Sequence, residues 1–125
     1  MRSPRRGCAC PFCLKTDLPV LDAAARCDTR EHEPRLIAPL DPLIYDRRLT
    51  ERLWDFSYTW EVYTPAHKRG RGYYALPVLA GTEFVGHVEP RIDREKRKIT
   101  VLSRKLRRGH SAASALQELG RFLGA

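Results

Sequence analysis

The chain has 125 residues, a length that suits one compact domain with a single core. Hydrophobic residues make up 42% of it, and no uncharged apolar run approaches the ~18 residues that cross a bilayer, which excludes a helical membrane protein. The net charge of +8 resides in residues 66–109, with twelve Lys and Arg against four Asp and Glu. Such a concentrated positive charge predicts DNA or RNA as partner, and the alternative is a solvated basic surface without a specific ligand.

Residues 1–16 mix Arg, Pro, Gly and three cysteines without periodicity, which predicts an irregular or disordered tail. No apolar stretch follows the early arginines, so we expect no signal peptide and a cytoplasmic protein. Cys10 and Cys13 have CxxC spacing, and with Cys27 and His32 they can supply four tetrahedral zinc ligands. Strong zinc signatures contain two paired ligand motifs, and only one is present here. We therefore expect a thiol-bearing tail without metal, and no other cofactor.

Two segments precede the basic region. Residues 17–26 predict a short helix, with Thr16 or Asp17 as N-cap and Pro19 in its first turn. Residues 35–45 contain two prolines spaced three apart, which predicts an extended or turn-like segment rather than a helix.

A second predicted helix is followed by four predicted strands. Asp46 can cap a second short helix over residues 47–54, with apolar side chains recurring at four and five positions. Four later segments are rich in β-branched and aromatic residues and are bounded by Pro, Gly or charged turns. They predict strands at residues 59–64, 72–80, 83–90 and 98–103.

Tight connections at Gly81-Thr82 and residues 94–97 predict antiparallel pairing, and closure into a small barrel would remove exposed edges. Residues 111–123 predict a helix that packs on the sheet, with apolar residues at helical spacing that include Phe122. The expected fold class is α+β, mainly β: a small antiparallel barrel-like sheet with flanking short helices and a C-terminal helix. We expect this domain to span residues 17–125.

The connection between the first two predicted strands, residues 63–74, has the sequence YTPAHKRGRGYY. Three of its cations can approach phosphates: Lys68, Arg69 and Arg71. Its glycines permit close backbone approach, and Tyr63, Tyr73 and Tyr74 can pack on sugars or bases. Because neighbours in a strand face opposite sides, we expect one of Tyr73 and Tyr74 in the core. The alternative is that the tyrosines are only structural.

Two further basic runs flank the last predicted strand. One contains Arg94, Lys96, Arg97 and Lys98, and the other contains Arg104, Lys105, Arg107 and Arg108. Cations at such turns can contact DNA or can serve only solubility and edge protection, and the sequence favours neither. In the strand predicted before the loop, Glu61 faces opposite Trp60 and Val62, where it can pair an arginine or touch DNA.

The sequence contains none of the common catalytic motifs: no HExxH, no GxSxG, no phosphate-cradling glycine loop and no recognisable pair of acids. His67, His87 and His110 are isolated in sequence, and such histidines are more often structural than catalytic. We therefore assign no catalytic residue to the chain.

Four stretches together resemble the carboxy-terminal part of the bacterial AlkZ/YcaQ-type interstrand-crosslink DNA glycosylases, which are winged-helix DNA-binding domain-containing proteins. The resemblance covers residues 17–125. The stretches are LDPLIYDR (40–47), EVYTPAHKRGRGYYALPVL (61–79), FVGHVEPRIDR (84–94) and the ending ALQELGRFLG (115–124).

The resemblance implies tandem winged-helix motifs followed by a small β-barrel, with DNA in a basic channel between them, and this chain would supply the barrel. In that family a Gln-x-Gln or Gln-x-Asp motif near the start of the full-length protein positions the attacking water. The only glutamine here is Gln117, so no catalytic residue carries over. The resemblance assigns Lys68, Arg69 and Tyr73 to the DNA-binding surface.

The expected function is therefore DNA binding within a crosslink-repair glycosylase family, without catalysis by this chain alone. One alternative is a protein-interaction module that completes a split glycosylase by binding winged-helix domains of another chain. The other is a zinc-dependent nucleic-acid-binding module.

Overall fold

The computed structural model describes residues 13–27 and 33–124. None of the helices in these two ranges is long and apolar enough to span a membrane. The helices are α1 (Leu18–Arg26), α2 (Pro42–Tyr45), α3 (Arg47–Trp54) and α4 (Ala113–Leu123). The strands are β1 (Arg35–Leu36), β2 (Leu76–Ala80), β3 (Glu83–Asp93) and β4 (Lys98–Leu106), and short 3-10 turns lie at Lys15–Asp17 and Ala66–Lys68.

The four strands form one antiparallel sheet in the order β1-β2-β3-β4. The tight connections pair β2 with β3 and β3 with β4, as predicted. The α+β class, with an antiparallel sheet, short helices and a C-terminal helix, is therefore confirmed. Closure into a barrel was wrong for the described residues, because the sheet is open and β1 and β4 are its edges. At two residues, β1 is a very short edge, which limits pairing with other chains.

The strand predicted at residues 59–64 does not form. The main chain turns there, with the Thr64 N–H donating to the Glu61 carbonyl at 3.0 Å. The Glu61 carboxylate then accepts backbone N–H groups from residues 70–72, which a strand partner would otherwise have to satisfy. Residues 61–79 are thus a loop followed by a strand rather than a hairpin, and β2 pairs with β1 on that side.

Residues 35–45 were predicted to be extended or turn-like rather than helical. The prediction was wrong for Pro42–Tyr45, which form α2. Pro42 occupies the first helical turn, where its fixed φ suits the helix and its missing N–H costs nothing. The Asp41 carboxylate accepts the Leu43 N–H at 2.9 Å. Asp46 caps α3 as predicted, accepting the N–H groups of Arg48 and Leu49 at 3.0 and 3.1 Å.

A β-bulge lets the sheet contribute to two hydrophobic clusters. The register between β2 and β3 shifts at Val78/Leu79, where Val85 has no paired residue. Phe84 therefore packs in one cluster, with Ile37, Ile44 and Tyr58. The other contains Val78, Val85, Val88 and Ala112.

The carboxy-terminal helix packs on the second of these clusters through Leu116, which confirms that α4 covers the sheet. Its predicted apolar face is not wholly covered, because Phe122 is 85% exposed. Ala115 and Gly120 are the buried residues of α4, and the sheet's other face is covered by the segment that precedes β2.

Candidate nucleic-acid interface

The basic loop, residues 61–74, is fixed in shape by the carboxylate of its own first residue. The Glu61 side chain accepts three successive backbone N–H groups, from Gly70 at 3.0 Å, Arg71 at 2.7 Å and Gly72 at 3.2 Å. The Arg71 bond is the largest of the effects that hold the pKa of this buried carboxyl below its ordinary value. Glu61 is therefore ionised at neutral pH and occupies an anion-binding concavity that the backbone itself forms.

A second buried carboxylate, Glu89 of β3, holds the end of the basic loop. It accepts the Tyr74 N–H at 3.2 Å and lies 3.3 Å from the Ser103 hydroxyl, which also donates to the Arg71 carbonyl at 3.0 Å. Gly72 has a φ of +127°, and a Cβ there would lie 2.0 Å from a Glu89 oxygen. Only glycine fits at this position without displacing Glu89.

Tyr58 and Arg47 connect the residue after the basic loop, Ala75, to helix α3. The buried Tyr58 hydroxyl donates to the Ala75 carbonyl at 2.8 Å, and the Arg47 guanidinium lies 4.7 Å from the centre of the Tyr58 ring. Burial raises the pKa of Tyr58 to about 12, so the phenol keeps its proton and donates this bond at neutral pH.

His87 is a buried residue of β3, close enough to the basic loop for its charges to affect the imidazole. Burial, followed by the positive charges of Arg71 and Lys105, holds the pKa of His87 below its ordinary value. At neutral pH it is therefore uncharged. This agrees with the structural role expected for an isolated histidine.

The predicted phosphate-binding cations of the basic loop are positioned to different degrees. The Nε of Arg69 donates to the Thr64 carbonyl at 2.7 Å, and its guanidinium lies 4.8 Å from the centre of the Tyr73 ring. An Nη of Arg71 donates to the Ser57 carbonyl at 2.8 Å. Lys68 is exposed at the end of the 3-10 turn. Two guanidinium groups are thus held in place, and one flexible ammonium group lies beside them.

All three tyrosines of the basic loop lie on the surface. Tyr63 is 91% exposed, Tyr73 51% and Tyr74 44%. The prediction that one of Tyr73 and Tyr74 is in the core was wrong, because β2 begins only at Leu76 and neither residue follows strand alternation. Tyr63 and Tyr74 instead flank the half-buried Trp60 in edge-to-face contacts.

A shallow depression of about 510 Å³ separates the basic loop from β4. Its walls combine backbone, a stacked cation and apolar side chains, which is a surface that sugars and bases can contact. The lining residues include Arg69, Gly70, Tyr73, Leu102 and Ser103.

The second predicted basic run forms the turn between β3 and β4, residues 94–97, which we call the basic turn. Arg94 is exposed, and Lys96 lies 4.0 Å from the Asp93 carboxylate in an exposed ion pair. Arg97 has a φ of +49° and donates from Nε to the Gly124 carbonyl at 3.3 Å. The turn begins five residues beyond Glu89, on the order of 16 Å at ~3.3 Å per residue. It therefore stands apart from the basic loop.

The third basic run begins in β4 and continues past its end. Arg107 donates to the Glu83 carboxylate, and its backbone N–H bonds the Val85 carbonyl at 2.7 Å. Arg107 therefore continues the pairing with β3 through its main chain, and the side chains of Arg104, Lys105, Arg107 and Arg108 are all exposed.

A family model described as DNA glycosylase AlkZ-like matches residues 5–125. The chain belongs to the AlkZ-like DNA glycosylase family. No solved structure matches the chain significantly. Membership gives the chain a DNA-repair-related, DNA-binding role, and the resemblance drawn from four stretches of sequence is confirmed.

The match to the AlkZ-like family begins at residue 5, twelve residues before residue 17, where the resemblance was expected to begin, so it includes Cys10 and Cys13. Cys10 and His32 lie outside the described residues, and Cys13 and Cys27 are exposed. Within residues 13–27 and 33–124, no three His, Cys, Asp or Glu side chains are grouped to hold a metal. The zinc hypothesis therefore stays untested.

Sequence reasoning missed the two carboxylates that shape this AlkZ-like surface. Glu61 was expected to face opposite Trp60 and Val62 on a strand, where it could pair an arginine or touch DNA, and Glu89 received no role. The sequence offered one signal for each acid. Glu89 follows Val88 in a segment predicted as a strand, and Glu61 stands nine residues before the run Gly70-Arg71-Gly72. Such a run offers successive N–H groups that a carboxylate can accept.

Proposed function

We propose that this AlkZ-like domain binds duplex DNA mainly through phosphate contacts from residues 66–108 and does not excise a base by itself. The basic loop makes the principal contacts, through Lys68, Arg69, Arg71, Tyr73 and Tyr63. The basic turn adds weaker ones through Arg94, Lys96 and Arg97. Residues 17–125 act as the binding unit, preceded by a tail at residues 1–16.

The observation that carries the proposal is the cation pair Arg69 and Arg71 on a loop with a fixed backbone. Each guanidinium donates to a main-chain carbonyl, at 2.7 and 2.8 Å, so little side-chain entropy is lost when a phosphate binds. Arginine geometry matches phosphate oxygens bidentately. A surface of this kind provides affinity and orientation for DNA but reads no base sequence.

The catalytic step is assigned to another part of the protein. The family resemblance implies winged-helix segments before the barrel and a water-positioning glutamine motif near the start of the full-length protein, and the one glutamine of this chain, Gln117, lies on α4 instead. We infer that this domain helps to hold crosslinked or alkylated DNA against those segments, in the cytoplasm where bacterial DNA lies.

The experiment is fluorescence anisotropy of the full chain with a short paired duplex over a series of salt concentrations. We expect the logarithm of the association constant to fall linearly with the logarithm of salt concentration, because each neutralised phosphate releases counterions. The Lys68→Glu/Arg69→Glu variant should weaken binding by at least about tenfold, which corresponds to 1.4 kcal/mol.

The matched control is Arg48→Glu/Arg121→Glu, which makes the same change in net charge at two exposed positions outside residues 66–109. It should retain affinity within about threefold of wild type. An equal loss of affinity in both variants would mean that the overall charge of the protein, rather than the basic loop, determines DNA binding. Absence of binding at low salt would overturn the proposal.

A second candidate function, protein interaction, is favoured by exposed apolar side chains on the helices before β2. Leu49 and Leu53 lie one turn apart on the exposed side of α3. Contiguous exposed apolar surface commonly marks an interaction site. Further exposed apolar residues in this region are Leu40, Leu43 and Tyr45.

Under this alternative the apolar side chains of α2 and α3 bind winged-helix domains of the same family in another chain. The test is co-purification with a separately expressed winged-helix segment of an AlkZ-like protein. Leu49→Glu/Leu53→Glu should abolish the complex if the helices form the interface. No complex with the unmodified chain would exclude this alternative.

A further inference from the structure

Three aromatic residues at the two ends of the basic loop pack against one another, and we call them the aromatic cluster: Trp60, Tyr63 and Tyr74. The Trp60 ring centre lies 6.2 Å from that of Tyr63 and 6.1 Å from that of Tyr74, with interplanar angles of 67° and 79°. These are edge-to-face arrangements, which aromatic pairs favour. Trp60 is half-buried, while Tyr63 is almost fully exposed. The cluster thus presents an exposed aromatic ring to solvent beside a half-buried tryptophan.

A held cation lies next to this ring along the chain. Arg69 donates to the carbonyl of Thr64, the residue after Tyr63, and its guanidinium lies over Tyr73. Lys68 is exposed beside it. The basic loop therefore combines phosphate-binding cations and exposed aromatic rings on a single short segment of chain.

Phosphate contacts to a fully paired duplex do not need exposed rings, because the faces of paired bases are hidden in the stack. Scattered surface aromatics need no explanation, but Tyr63, Tyr73 and Tyr74 all lie in one loop beside cations. Cations that follow the backbone together with aromatic rings that stack on bases are the combination found in proteins that bind unpaired nucleotides.

We propose that the aromatic cluster binds one unpaired nucleotide of a DNA substrate, with the base stacked on Tyr63 and the adjacent phosphates bound by Lys68 and Arg69. This inference rests on the proposed function, since the same loop makes the phosphate contacts. Trp60 and Tyr74 are positioning residues that hold the Tyr63 ring. Every base has a π-face, so the site accepts any base and selects for an unstacked one.

The test is fluorescence anisotropy of the full chain with three labelled DNAs: a paired duplex, the same duplex with a one-nucleotide bulge, and the same duplex with a three-nucleotide gap. We expect the bulged and gapped DNAs to bind about tenfold more tightly than the paired duplex, from base stacking. Tyr63→Ala should remove this preference, so that the bulged and gapped DNAs bind no more tightly than the paired duplex does. Tyr63→Phe should keep it, because the ring is retained.

The matched control is Tyr45→Ala, which removes an exposed tyrosine from α2, outside the basic loop. It should leave all three affinities unchanged. Equal binding of the three DNAs by the unmodified chain, or an equal loss in Tyr45→Ala and Tyr63→Ala, overturns the inference. Binding to the paired duplex without a preference overturns this inference alone, whereas absence of binding to any of the DNAs overturns the proposed function as well.

Discussion

The basic loop and the basic turn are both rich in cations, yet they are built in opposite ways. The loop backbone donates three N–H groups to the buried Glu61 carboxylate, and Arg69 and Arg71 are bonded to main-chain carbonyls. The basic turn holds its cations through an exposed pair at 4.0 Å and one bond at 3.3 Å to the Gly124 carbonyl. Exposed ion pairs of this kind contribute little to stability.

The difference shows that charge density alone does not define a binding surface. A cation that is already oriented loses less conformational entropy on binding, so the same Coulomb attraction yields more net affinity. In this chain the orientation depends on two acids, Glu61 and Glu89, under a surface that is positive overall. The comparison therefore predicts that substitutions of Glu61 or Gly72 in the loop lower the free energy of unfolding more than substitutions of cations in the turn do.

The largest expected effect is that of Glu61→Ala, which would leave the N–H groups of residues 70–72 without their acceptor. We expect the free energy of unfolding to fall by about 3 kcal/mol, since a hydrogen bond to a charged group contributes ~1.5–3 kcal/mol and the three bonds lost here are only partly buried. Urea denaturation measures the change. The control Glu51→Ala, at an exposed site on α3, should cost under about 0.5 kcal/mol. Equal costs would mean that the carboxylate does not hold the loop.

Gly72→Ala should have the next largest effect. It combines a φ of +127° with a Cβ 2.0 Å from Glu89, and we expect a loss of about 2 kcal/mol in the free energy of unfolding. Gly70→Ala is the matched control, because its Cβ would lie 3.7 Å from a Glu61 oxygen, an ordinary contact. Thermal denaturation of the pair distinguishes the two positions. A tolerated Gly72→Ala would contradict the close approach of Glu89.

The contribution of Glu61 should depend on pH. Its pKa in the folded protein lies below the ordinary value of 4.5, so its stabilising effect is complete above pH 4.5 and is lost as the pH falls through the folded pKa. The difference in unfolding free energy between wild type and Glu61→Gln should therefore be constant near neutral pH and shrink in acid. Urea denaturation at a series of pH values measures it. A difference that grows as the pH falls would contradict an ionised Glu61.

The smallest effect is expected in the basic turn. Arg94→Ala/Lys96→Ala removes an exposed cation and one member of an exposed ion pair. The free energy of unfolding should change by less than about 0.5 kcal/mol, as measured by urea denaturation. A larger loss would show that the turn is held as firmly as the loop.

Several elements of the fold follow from local sequence signals. Asp46 caps α3 as predicted, and the connection at Gly81 pairs β2 with β3. These elements depend on capping chemistry and turn geometry, which a few adjacent residues determine. The AlkZ-like family was likewise predictable, because long stretches of sequence carry it.

The shape of the basic loop was not predictable from periodicity. Trp60 and Val62 are typical strand residues, but Glu61 between them accepts N–H groups nine to eleven residues away. Such a long-range side-chain contact replaces a strand pairing, and its one signal, the Gly-Arg-Gly run nine residues after Glu61, does not show in the periodicity of the chain. The cations of the candidate interface were visible in the sequence. The acids that position them were not.

The most direct test of the central claim compares two double charge reversals in DNA binding by fluorescence anisotropy. Lys68→Glu/Arg69→Glu alters the basic loop and Arg94→Glu/Lys96→Glu alters the basic turn, with the same change in net charge. We predict a loss of affinity of at least about tenfold for the loop variant and about threefold for the turn variant, because Arg69 is bonded to the main chain and stacked on Tyr73, whereas Lys96 has only an exposed ion pair. Equal losses would contradict the account and leave overall charge as the sole basis of binding.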